Sequence, residues 1–418
     1  MTKKPKWYTQ GREHIWYPYT QMKSMDDPLS VVSTSGCKIK LVDGREIIDG
    51  ISSWWSACHG YSHPYIIDKM QEQLKKMPHI MFAGIAHEPA YELAARLCKM
   101  TGMDRVFFTD SGSTSIETAM KMAVQYWKNR GEKLRNKFIC FRNGYHGDTM
   151  GCMSLCDPDN GMHKPLNNYM PMQFAVDIPV DEYGFEELDS LMADIGKTVA
   201  GVIIEPLIQG AGGMKFHSPD SLAEIYRIAK KHDLIFIADE VMTGFGRTGN
   251  MFACQEAAIK PDIMCLGKAI TGGTMTLAAT LASSEVFEQF LADEMNMALM
   301  SGPTFMANPL ACSAANASLD LFENEPRLQQ VEAIEKQLYE ELAPCKKLPN
   351  VIDVRVKGAV GVVQIKTDWE EIFAMRKKFI KENVWLRPFG DVVYIMPAFT
   401  ISKKELSVLT KAVLKILS

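Results

Sequence analysis

Short apolar runs alternate with amphipathic stretches through the middle of the chain. Residues 199–204, 234–238 and 263–266 are apolar almost without interruption, a pattern typical of strands that are buried on both faces. Between such runs, as in residues 220–232, apolar side chains recur at the spacing of an amphipathic helix. Because strands and helices alternate over roughly residues 100–300, we expect an α/β fold with a mostly parallel sheet.

The two ends of the chain have a different pattern. Residues 1–35 are rich in aromatic side chains without a regular period, and residues 37–43 alternate between polar and apolar like a half-exposed strand. Roughly the last hundred residues predict a helix, three strands and a final helix, which together form a smaller α+β unit. We therefore expect an N-terminal arm and part of a small domain in residues 1–60, a large domain in residues 61–305 and a C-terminal small domain in residues 306–418.

Two of the apolar runs end in groups that carry chemistry. The run 234–238 is followed by Asp239, and the run 263–266 is followed by Gly267 and Lys268. Open α/β sheets place their ligands at the carboxyl ends of such strands. A lysine can form a Schiff base with the aldehyde of pyridoxal phosphate, and a carboxylate can hold a proton on its pyridine nitrogen. An ordinary ion pair at the strand ends is the alternative that the two residues alone leave open.

Residues 244–249, GFGRTG, match the dinucleotide fingerprint G-x-G-x-x-G. That fingerprint requires its first glycine directly at the end of a strand, where it opens a helix. Here residues 239–243 intervene, and residues 247–250 are typical of a turn. The context therefore argues against a nicotinamide site.

A polar loop and several aromatic residues suggest where a phosphate and a flat ring would bind. Residues 110–115 lie between a short apolar run and an amphipathic stretch, and Thr114 with Glu117 forms a capping-box pattern. A helix that begins there would offer free N–H groups to a phosphate, although similar caps begin helices that bind nothing. Tyr145 stands between glycines after a strand, where it can cover a ring or pack on the sheet. Trp54 and Trp55 must point in different directions, which leaves one of them free to stack on a ligand.

Composition excludes several classes of protein. The 418 residues carry a net charge of −4, with 47% hydrophobic and 23% charged residues, so we expect no nucleic-acid or membrane partner. The N-terminus lacks the apolar core of a signal peptide, and we expect a cytoplasmic protein. The ten cysteines are scattered through apolar segments and predict reduced core residues. Cys152 and Cys156 have no second cysteine pair and no histidine partner, so we expect no metal site.

Residues 239–273 carry a long pattern that resembles a known family. The segments DEVMTGFGRTG (239–249), PD (261–262) and GKAITGG (267–273) are similar to the signature of the class III aminotransferases, pyridoxal phosphate enzymes of fold type I. The resemblance covers nearly the whole chain. It implies a large domain with a mostly parallel sheet, a smaller α+β domain, and pyridoxal 5'-phosphate as the cofactor.

Other segments resemble the biotin-pathway branch of this family, and they are IWYPYTQM (15–22), DGISSWWSACHGYSHP (49–64), SGSTSIETAMKMAVQYW (111–127), NGYHGDT (143–149), SGPTFMANPLAC (301–312) and LRPFGDVVYIMP (386–397). This narrower resemblance implies a homodimer with shared active sites, S-adenosylmethionine as amino donor and 8-amino-7-oxononanoate as acceptor. Three alternatives stay open. They are a class III enzyme with lysine or another amine donor, an aminomutase of the glutamate-semialdehyde type, and a protein that only binds the cofactor.

The resemblance also implies roles for residues that match the family's motifs. Lys268 would be the Schiff-base lysine and proton shuttle, and Asp239 would pair with the pyridinium nitrogen. Tyr145 would stack on the cofactor ring and take part in catalysis. Gly112 and Ser113 would bind the phosphate. Thr304 would reach the phosphate in the partner subunit, from a segment, residues 301–304, that we expect to open a helix.

The same resemblance predicts the substrate pocket. Arg387 would hold the carboxylate of the oxononanoate, and Glu205 would lie close enough to Arg247 to pair with it. Tyr394 stands where class III enzymes that use 2-oxoglutarate have an arginine, which weakens the case for a dicarboxylate partner. The predicted substrate-binding residues are Tyr19, Trp54, Trp55, Gly302, Arg387 and Tyr394.

Overall fold

The structure, a computed structural model, describes residues 4–418. Over these residues the strands form one seven-stranded sheet and three smaller sheets. In chain order the strands are β1 (Val31–Ser35), β2 (Lys38–Leu41), β3 (Glu46–Asp49), β4 (Arg105–Thr109), β5 (Lys137–Phe141), β6 (Phe174–Val176), β7 (Val199–Ile204), β8 (Ile208–Gln209), β9 (Lys215–Phe216), β10 (Ile235–Asp239), β11 (Ile263–Leu266), β12 (Ala278–Ala282), β13 (Val351–Lys357), β14 (Val360–Ile365), β15 (Val384–Trp385) and β16 (Val392–Ile395).

Right-handed helices connect many of the strands along the chain. The α-helices are α1 (Lys6–Gly11), α2 (Pro64–Lys76), α3 (Glu88–Thr101), α4 (Gly112–Asn129), α5 (Met150–Ser154), α6 (Glu182–Ile195), α7 (Pro219–Lys231), α8 (Ser284–Glu288), α9 (Pro309–Asn324), α10 (Arg327–Leu342), α11 (Trp369–Lys381) and α12 (Lys403–Leu417). Short 3₁₀ helices are Arg12–His14, Lys164–Tyr169, Gly196–Thr198, Ala253–Gln255, Lys268–Thr271, Met295–Met297 and Ala343–Lys347.

The large sheet has the strand order β4-β12-β11-β10-β7-β5-β6. Every residue of β7, β10 and β11 is buried, as the uninterrupted apolar runs predict. β12 alone runs opposite to the other six strands, so the prediction of a mostly parallel α/β sheet is confirmed. The reversal follows from the connection, because a 3₁₀ helix and a loop separate β11 from β12, whereas a parallel return needs a longer crossover.

Strands from the two ends of the chain share a smaller sheet, in the order β1-β2-β3-β15. β15 pairs in parallel with β3, which joins the N-terminal strands to the C-terminal region. A separate antiparallel sheet, β13-β14-β16, contains the three strands predicted near the C-terminus. The helix α9 packs against α2 and α3. The domain boundaries at residues 60/61 and 305/306 stay a prediction.

Two predicted helix starts are wrong by one turn or more. Helix α4 begins at Gly112, with Ser111 as its cap and Thr114 as the reciprocal partner, rather than with Thr114 as the cap. Residues 301–304 do not open a helix, because α9 begins at Pro309 and Asn308 caps it. In both cases a polar side chain nearer the true first turn accepts the free backbone N–H group.

Three further predictions from the sequence concern the G-x-G-x-x-G match, the cysteines and membrane-spanning helices. Residues 241–250 form turns rather than a helix, so the G-x-G-x-x-G match lacks its required context. All ten cysteines are free, and all but Cys98 are buried. Within residues 4–418, no helix combines the length and the apolar character that a membrane crossing requires.

Candidate functional site

The carboxyl ends of the parallel strands border a cavity of about 850 Å³. β5, β7, β10 and β11 all end at this edge of the large sheet, which is where open α/β sheets bind ligands. Ten of the twelve predicted site residues line it, and they are Tyr19, Trp54, Trp55, Gly112, Ser113, Tyr145, Asp239, Lys268, Arg387 and Tyr394.

Lys268 directly follows the extended Gly267 after β11 and has a φ of +42°. A positive φ outside glycine is uncommon, and such residues cluster at functional sites. The amine Nζ lies 5.0 Å from the centre of the Trp55 ring. Burial lowers the pKa of Lys268, although the charges of Asp239 and Glu205 act in the opposite direction. The deep end of the cavity therefore holds an amine that loses its proton more easily than an exposed lysine does.

Asp239 ends β10 and is held from two sides. Its Oδ1 accepts a hydrogen bond from the backbone N–H of Val241 at 3.1 Å, and its Oδ2 lies 2.7 Å from Nδ1 of the buried His146. Burial lowers the pKa of His146, but the hydrogen bond and charge of Asp239 outweigh it, so the net shift is upward. Sequence reasoning missed His146. The available signal was its position next to Tyr145 after a buried strand.

Glu205 and Arg247 do not form the expected pair. The backbone N–H groups of Tyr145 and Gly210 donate to the two carboxylate oxygens of Glu205 at 3.0 and 2.9 Å. Arg247 is buried elsewhere, where its Nη1 donates to two carbonyl oxygens of the C-terminal region at 3.2 and 2.7 Å. The expectation is wrong because backbone groups of separate segments hold the two side chains. Burial raises the pKa of Glu205, against the effect of nearby His146.

Gly112 and Ser113 form the first turn of α4 at the cavity wall. The Ser111 side chain accepts a hydrogen bond from the N–H of Thr114 at 3.4 Å, and the first N–H groups of the helix have no intrahelical acceptor. A Cβ on Gly112 would lie 2.6 Å from Cγ1 of Val241, so this first turn packs against Val241 more closely than a side chain would allow. The positive end of a long helix, a hydroxyl and a bare backbone together suit a phosphate.

Tyr145 belongs to a hydrogen-bonded group on the side of the cavity. Its hydroxyl lies 3.1 Å from the hydroxyl of Tyr19 and donates to Asp148 Oδ1 at 2.8 Å, while Tyr19 donates to the other oxygen of Asp148. His163, whose Nε2 lies 3.4 Å from Oδ1, lowers the pKa of Asp148 to about 2, against the effect of burial. Burial raises the pKa of Tyr19 to about 12. Sequence reasoning missed Asp148, although its position three residues after Tyr145 was visible.

Trp54 and Trp55 lie on a left-handed helical turn. Ser52, Ser53, Trp54 and Trp55 have φ values of +47°, +52°, +60° and +76°, and backbone hydrogen bonds close the turn as in a helix. For L-residues a left-handed helical conformation costs roughly 1–2 kcal/mol per residue, so surrounding contacts must hold it. As predicted, the two indoles point differently: Trp55 is buried against Tyr394, and Trp54 is 39% exposed.

Two guanidinium groups line the mouth of the cavity. The guanidinium carbon of Arg387 lies 4.4 Å from the centre of the Trp54 ring. Arg376, which sequence reasoning missed, donates through Nε and Nη2 to the carbonyl oxygen of Pro388 at 3.3 and 2.9 Å. Burial and the charge of Arg387 lower the pKa of Arg376 to about 10. No carboxylate among residues 4–418 forms a salt bridge with Arg376 or Arg387, so this mouth carries positive charge without an internal counterion.

Gly302 and Thr304 lie outside the cavity of their own chain. Both residues are exposed, in the irregular segment that precedes α9. Their predicted contacts with a ligand therefore stay predictions that involve a second copy of the chain.

Comparisons with known proteins identify the family of this chain. A family described as "Aminotransferase class-III" matches residues 20–417. A protein of Buchnera aphidicola subsp. Schizaphis graminum, named adenosylmethionine-8-amino-7-oxononanoate aminotransferase, is 43% identical over 413 residues, which cover 96% of this chain and 95% of that protein. The structure of an enzyme with the same name from Methanocaldococcus jannaschii has a TM-score of 0.93 at 33% identity, and the match covers 98% of both chains.

A third relative is known with its cofactor. The structure of an amine transaminase from an uncultivated Pseudomonas species, in its PLP-bound form, has a TM-score of 0.91 at 29% identity and covers 96% of this chain and 98% of that chain. These structural neighbours are consistent with the predicted fold type I, with its mixed sheets and helices. The family match includes the strand ends that carry Asp239 and Lys268. The chain therefore belongs to the class III aminotransferases.

Proposed function

We propose that this aminotransferase moves the amino group of S-adenosylmethionine to 8-amino-7-oxononanoate and so produces the diamine of biotin synthesis. The name of the Buchnera relative supports both substrates. One observation carries the proposal for this chain: a single cavity has Lys268 and Asp239 at its deep end and an unpaired Arg387 at its mouth. An acceptor with a ketone near one end and a carboxylate at the other matches that polarity.

The residues at the deep end fit pyridoxal phosphate, the cofactor that the family implies. When bound, it supplies an aldehyde that takes up an amino group and a conjugated ring that takes up electrons. Lys268 would hold the aldehyde, Asp239 the ring nitrogen, and Tyr145 one face of the ring. Gly112 and Ser113 would bind the phosphate through the N-terminus of α4. Glycine fits this position, since a Cβ there would clash with Val241, and the first N–H groups of α4 have no intrahelical acceptor.

The chain's own groups supply the proton chemistry. Nζ of Lys268, with its pKa lowered by burial, is the base at the deep end that takes up a proton and returns it. The backbone N–H of Val241 and Nδ1 of His146, at 3.1 and 2.7 Å, position the carboxylate of Asp239, which would face the ring nitrogen. Tyr394 offers a hydroxyl rather than a guanidinium, which disfavours a second carboxylate on the substrate.

A donor comparison tests the proposal. Purified protein loaded with pyridoxal phosphate is mixed with 8-amino-7-oxononanoate and with S-adenosylmethionine, lysine or a simple amine, and the diamine is measured by mass spectrometry. We expect product with S-adenosylmethionine well above the other donors. If product forms only with lysine or another amine, that compound and not S-adenosylmethionine is the donor. Isomerisation of an amino-aldehyde without any donor would favour an aminomutase, and a cofactor absorbance band without any turnover would favour a binding protein.

We also propose that two copies of the chain share their active sites, with Gly302 and Thr304 of one copy next to the cavity of the other. Lys268→Ala chains are mixed with Thr304→Val chains, and the mixed dimers are isolated by two affinity tags. If Thr304 serves the opposite site, each mixed dimer keeps one site free of both changes and recovers about half of the wild-type activity. If it serves its own site, the mixed dimer stays as inactive as its parents, and sharing is excluded.

A further inference from the structure

The left-handed turn Ser52–Trp55 requires an explanation that its own sequence does not provide. It contains no glycine, yet all four residues have positive φ, and ψ is +53° at Ser53 and +49° at Trp54. Single residues of this conformation occur at many turns, but consecutive ones without glycine are disfavoured by the contact of each Cβ with the following carbonyl group. The surrounding residues must therefore determine the hand of this turn.

The group that holds the turn is the carboxylate of Asp49, the last residue of β3. Its Oδ1 accepts from the backbone N–H of Ile51 and its Oδ2 from that of Ser53, both at 2.8 Å. Tyr61 donates its hydroxyl to the same Oδ2 at 2.6 Å. On the other side of the turn, the Ser52 hydroxyl donates to the carbonyl oxygen of Met396 at 2.7 Å. The Asp49 side chain thus fixes the backbone on both sides of Ser52.

Asp49 has no cation to explain its burial. It is 2% exposed, and no lysine, arginine or histidine among residues 4–418 forms a salt bridge with it. A buried carboxylate without a counterion in contact is costly: burial raises the pKa of Asp49, and its hydrogen bonds act against that shift. A neutral amide of the same size would satisfy an ordinary turn. The charged group is required where two N–H groups and a hydroxyl must all be accepted at once.

The hand of the turn decides where the two indoles lie. Trp55 faces Nζ of Lys268, with 5.0 Å between the amine and the ring centre, and Trp54 lies under Arg387. Both rings line the cavity. A right-handed turn would rotate consecutive side chains in the opposite sense around its axis, so it would move at least one indole off the cavity wall. Asp49 does not line the cavity and acts only through the turn.

We propose that Asp49 is a positioning residue for the amino donor: it fixes the left-handed turn that places both Trp54 and Trp55 on the cavity wall. The identity of the donor rests on the proposed function, but the placement of the indoles does not. The two aromatic faces then form one preorganised surface for the donor, which is bound in the first half of the reaction. Because Asp49 contacts no reacting atom, its loss affects donor binding more than the chemical step.

The first test is Asp49→Asn in the full-length, cofactor-loaded protein. The amide nitrogen cannot accept the hydrogen bonds that one carboxylate oxygen now receives. In stopped-flow measurements of the donor half-reaction, we expect the donor concentration for half-maximal rate to rise at least about tenfold, with the maximal rate changed less than about threefold. The acceptor half-reaction should change less than the donor half, because Trp54 affects the acceptor only through its contact with Arg387. Equal damage to both halves, or no change in the donor half, would overturn the proposal.

A second substitution separates positioning from folding. Ser53 is exposed and lies in the turn without a role in the cavity. Glycine adopts a positive φ as easily as a negative one, so Asp49→Asn/Ser53→Gly should recover most of the lost donor affinity. Ser53→Gly alone is the matched control and should stay within about twofold of the wild type. Asp49→Asn/Ser53→Val should be worse than Asp49→Asn, since a β-branched residue resists this conformation. An absence of rescue would mean that Asp49 stabilises the fold and not the hand of the turn.

A third readout needs no donor at all. The chain has seven tryptophans, which can be replaced by 5-fluorotryptophan and assigned in fluorine NMR spectra by single Trp→Phe variants. Asp49→Asn should move the Trp54 and Trp55 resonances, leave those of Trp7 and Trp127 in place, and lose most of the shift when Ser53→Gly is added. If S-adenosylmethionine proves not to be the donor, this result is unaffected. If the two resonances stay in place, the inference fails even though the proposed function stands.

Discussion

The deep end and the mouth of the cavity are built in opposite ways. At the deep end, Asp239, His146 and Glu205 are each 4% exposed, and the carboxylates are hydrogen-bonded to a histidine or to backbone N–H groups. At the mouth, Trp54 is 39% exposed, and Arg387 stacks on it without a carboxylate partner in the described chain. The carboxylates of the deep end have their hydrogen-bond partners within the protein. The guanidinium groups of the mouth would gain a counterion only from a ligand.

This difference separates the residues of the reacting centre from the residues that select the substrate. Groups whose hydrogen bonds are satisfied by the protein keep one geometry with or without a ligand, which is the preorganisation that a reacting centre requires. Unpaired guanidinium groups on a half-buried wall favour an anionic ligand and discriminate against a neutral one. Changes at the deep end should therefore impair both half-reactions equally, and changes at the mouth should separate them.

The largest effect is expected for Lys268→Ala. The deep end has one amine next to Asp239 and Trp55, and its loss removes both the covalent attachment of the cofactor and the base. We expect the Schiff-base absorbance band and turnover to disappear together in both half-reactions. Lys215→Ala, which removes the other lysine of the cavity wall, is the control and should keep the band. Turnover in the Lys268→Ala variant would refute the assignment.

A smaller but still uniform effect is expected for Asp239→Asn. The amide keeps the shape and loses the charge that would hold a proton on the ring nitrogen, at a cost on the order of a few kcal/mol in the transition state. His146 would also lose its charged partner at 2.7 Å. Turnover should fall by orders of magnitude while cofactor absorbance shows that the ring still binds. Rates measured for each half should fall by a similar factor, and an unchanged rate would assign the proton to another group.

The deep end was more predictable from the sequence than the mouth, for a physical reason. Asp239 and Lys268 follow uninterrupted apolar runs, and the ends of buried parallel strands converge whatever the rest of the chain does. The contact of His146 with Asp239 depends on strand order, since β5 is separated from β10 by β7. Nothing local in the sequence specifies that order. The family resemblance predicted a cavity residue, Arg387, that periodicity alone does not indicate, but it did not predict the contact of His146.

The errors have the same origin. The pair of Glu205 with Arg247 failed because backbone groups hold both side chains apart: the N–H groups of Tyr145 and of nearby Gly210 donate to Glu205, and Arg247 donates to the distant carbonyl group of Pro397. The hand of the turn Ser52–Trp55 has no sign in its own residues, because a carboxylate before it and a carbonyl group more than three hundred residues later hold it. Arg376 lies on α11 and reaches the mouth only through the packing of that helix on β15. Tertiary contacts of this kind override local patterns.

Arg387→Ala should separate the two half-reactions. The guanidinium matches a carboxylate in geometry, and a charge-assisted pair is worth about 1.5–3 kcal/mol, or roughly tenfold or more in the Michaelis constant for 8-amino-7-oxononanoate. The rate at which the donor converts the cofactor to its amine form should change much less. Stopped-flow spectra of the two halves measure this directly, and Arg387→Lys should recover only part of the loss. Equal damage to both halves would remove Arg387 from the acceptor site.

The smallest effect is expected for Arg376→Gln, and it tests whether the mouth acts as one positive surface. Arg376 donates to the carbonyl oxygen of Pro388 and is therefore less free than Arg387 to bind a carboxylate. Its charge nevertheless lies on the same wall of the cavity. We expect the Michaelis constant for the acceptor to rise about two- to fivefold, roughly 0.5–1 kcal/mol, and the effect to shrink at high salt.

The double variant with Arg387→Ala gives the decisive comparison. If both groups act on one carboxylate, the two changes are not additive, because the carboxylate is no longer held near Arg376 once Arg387 is gone. Additive effects that are insensitive to salt would mean that Arg376 only supports the backbone at Pro388. In that case the selectivity of the mouth rests on Arg387 and its indole partner alone.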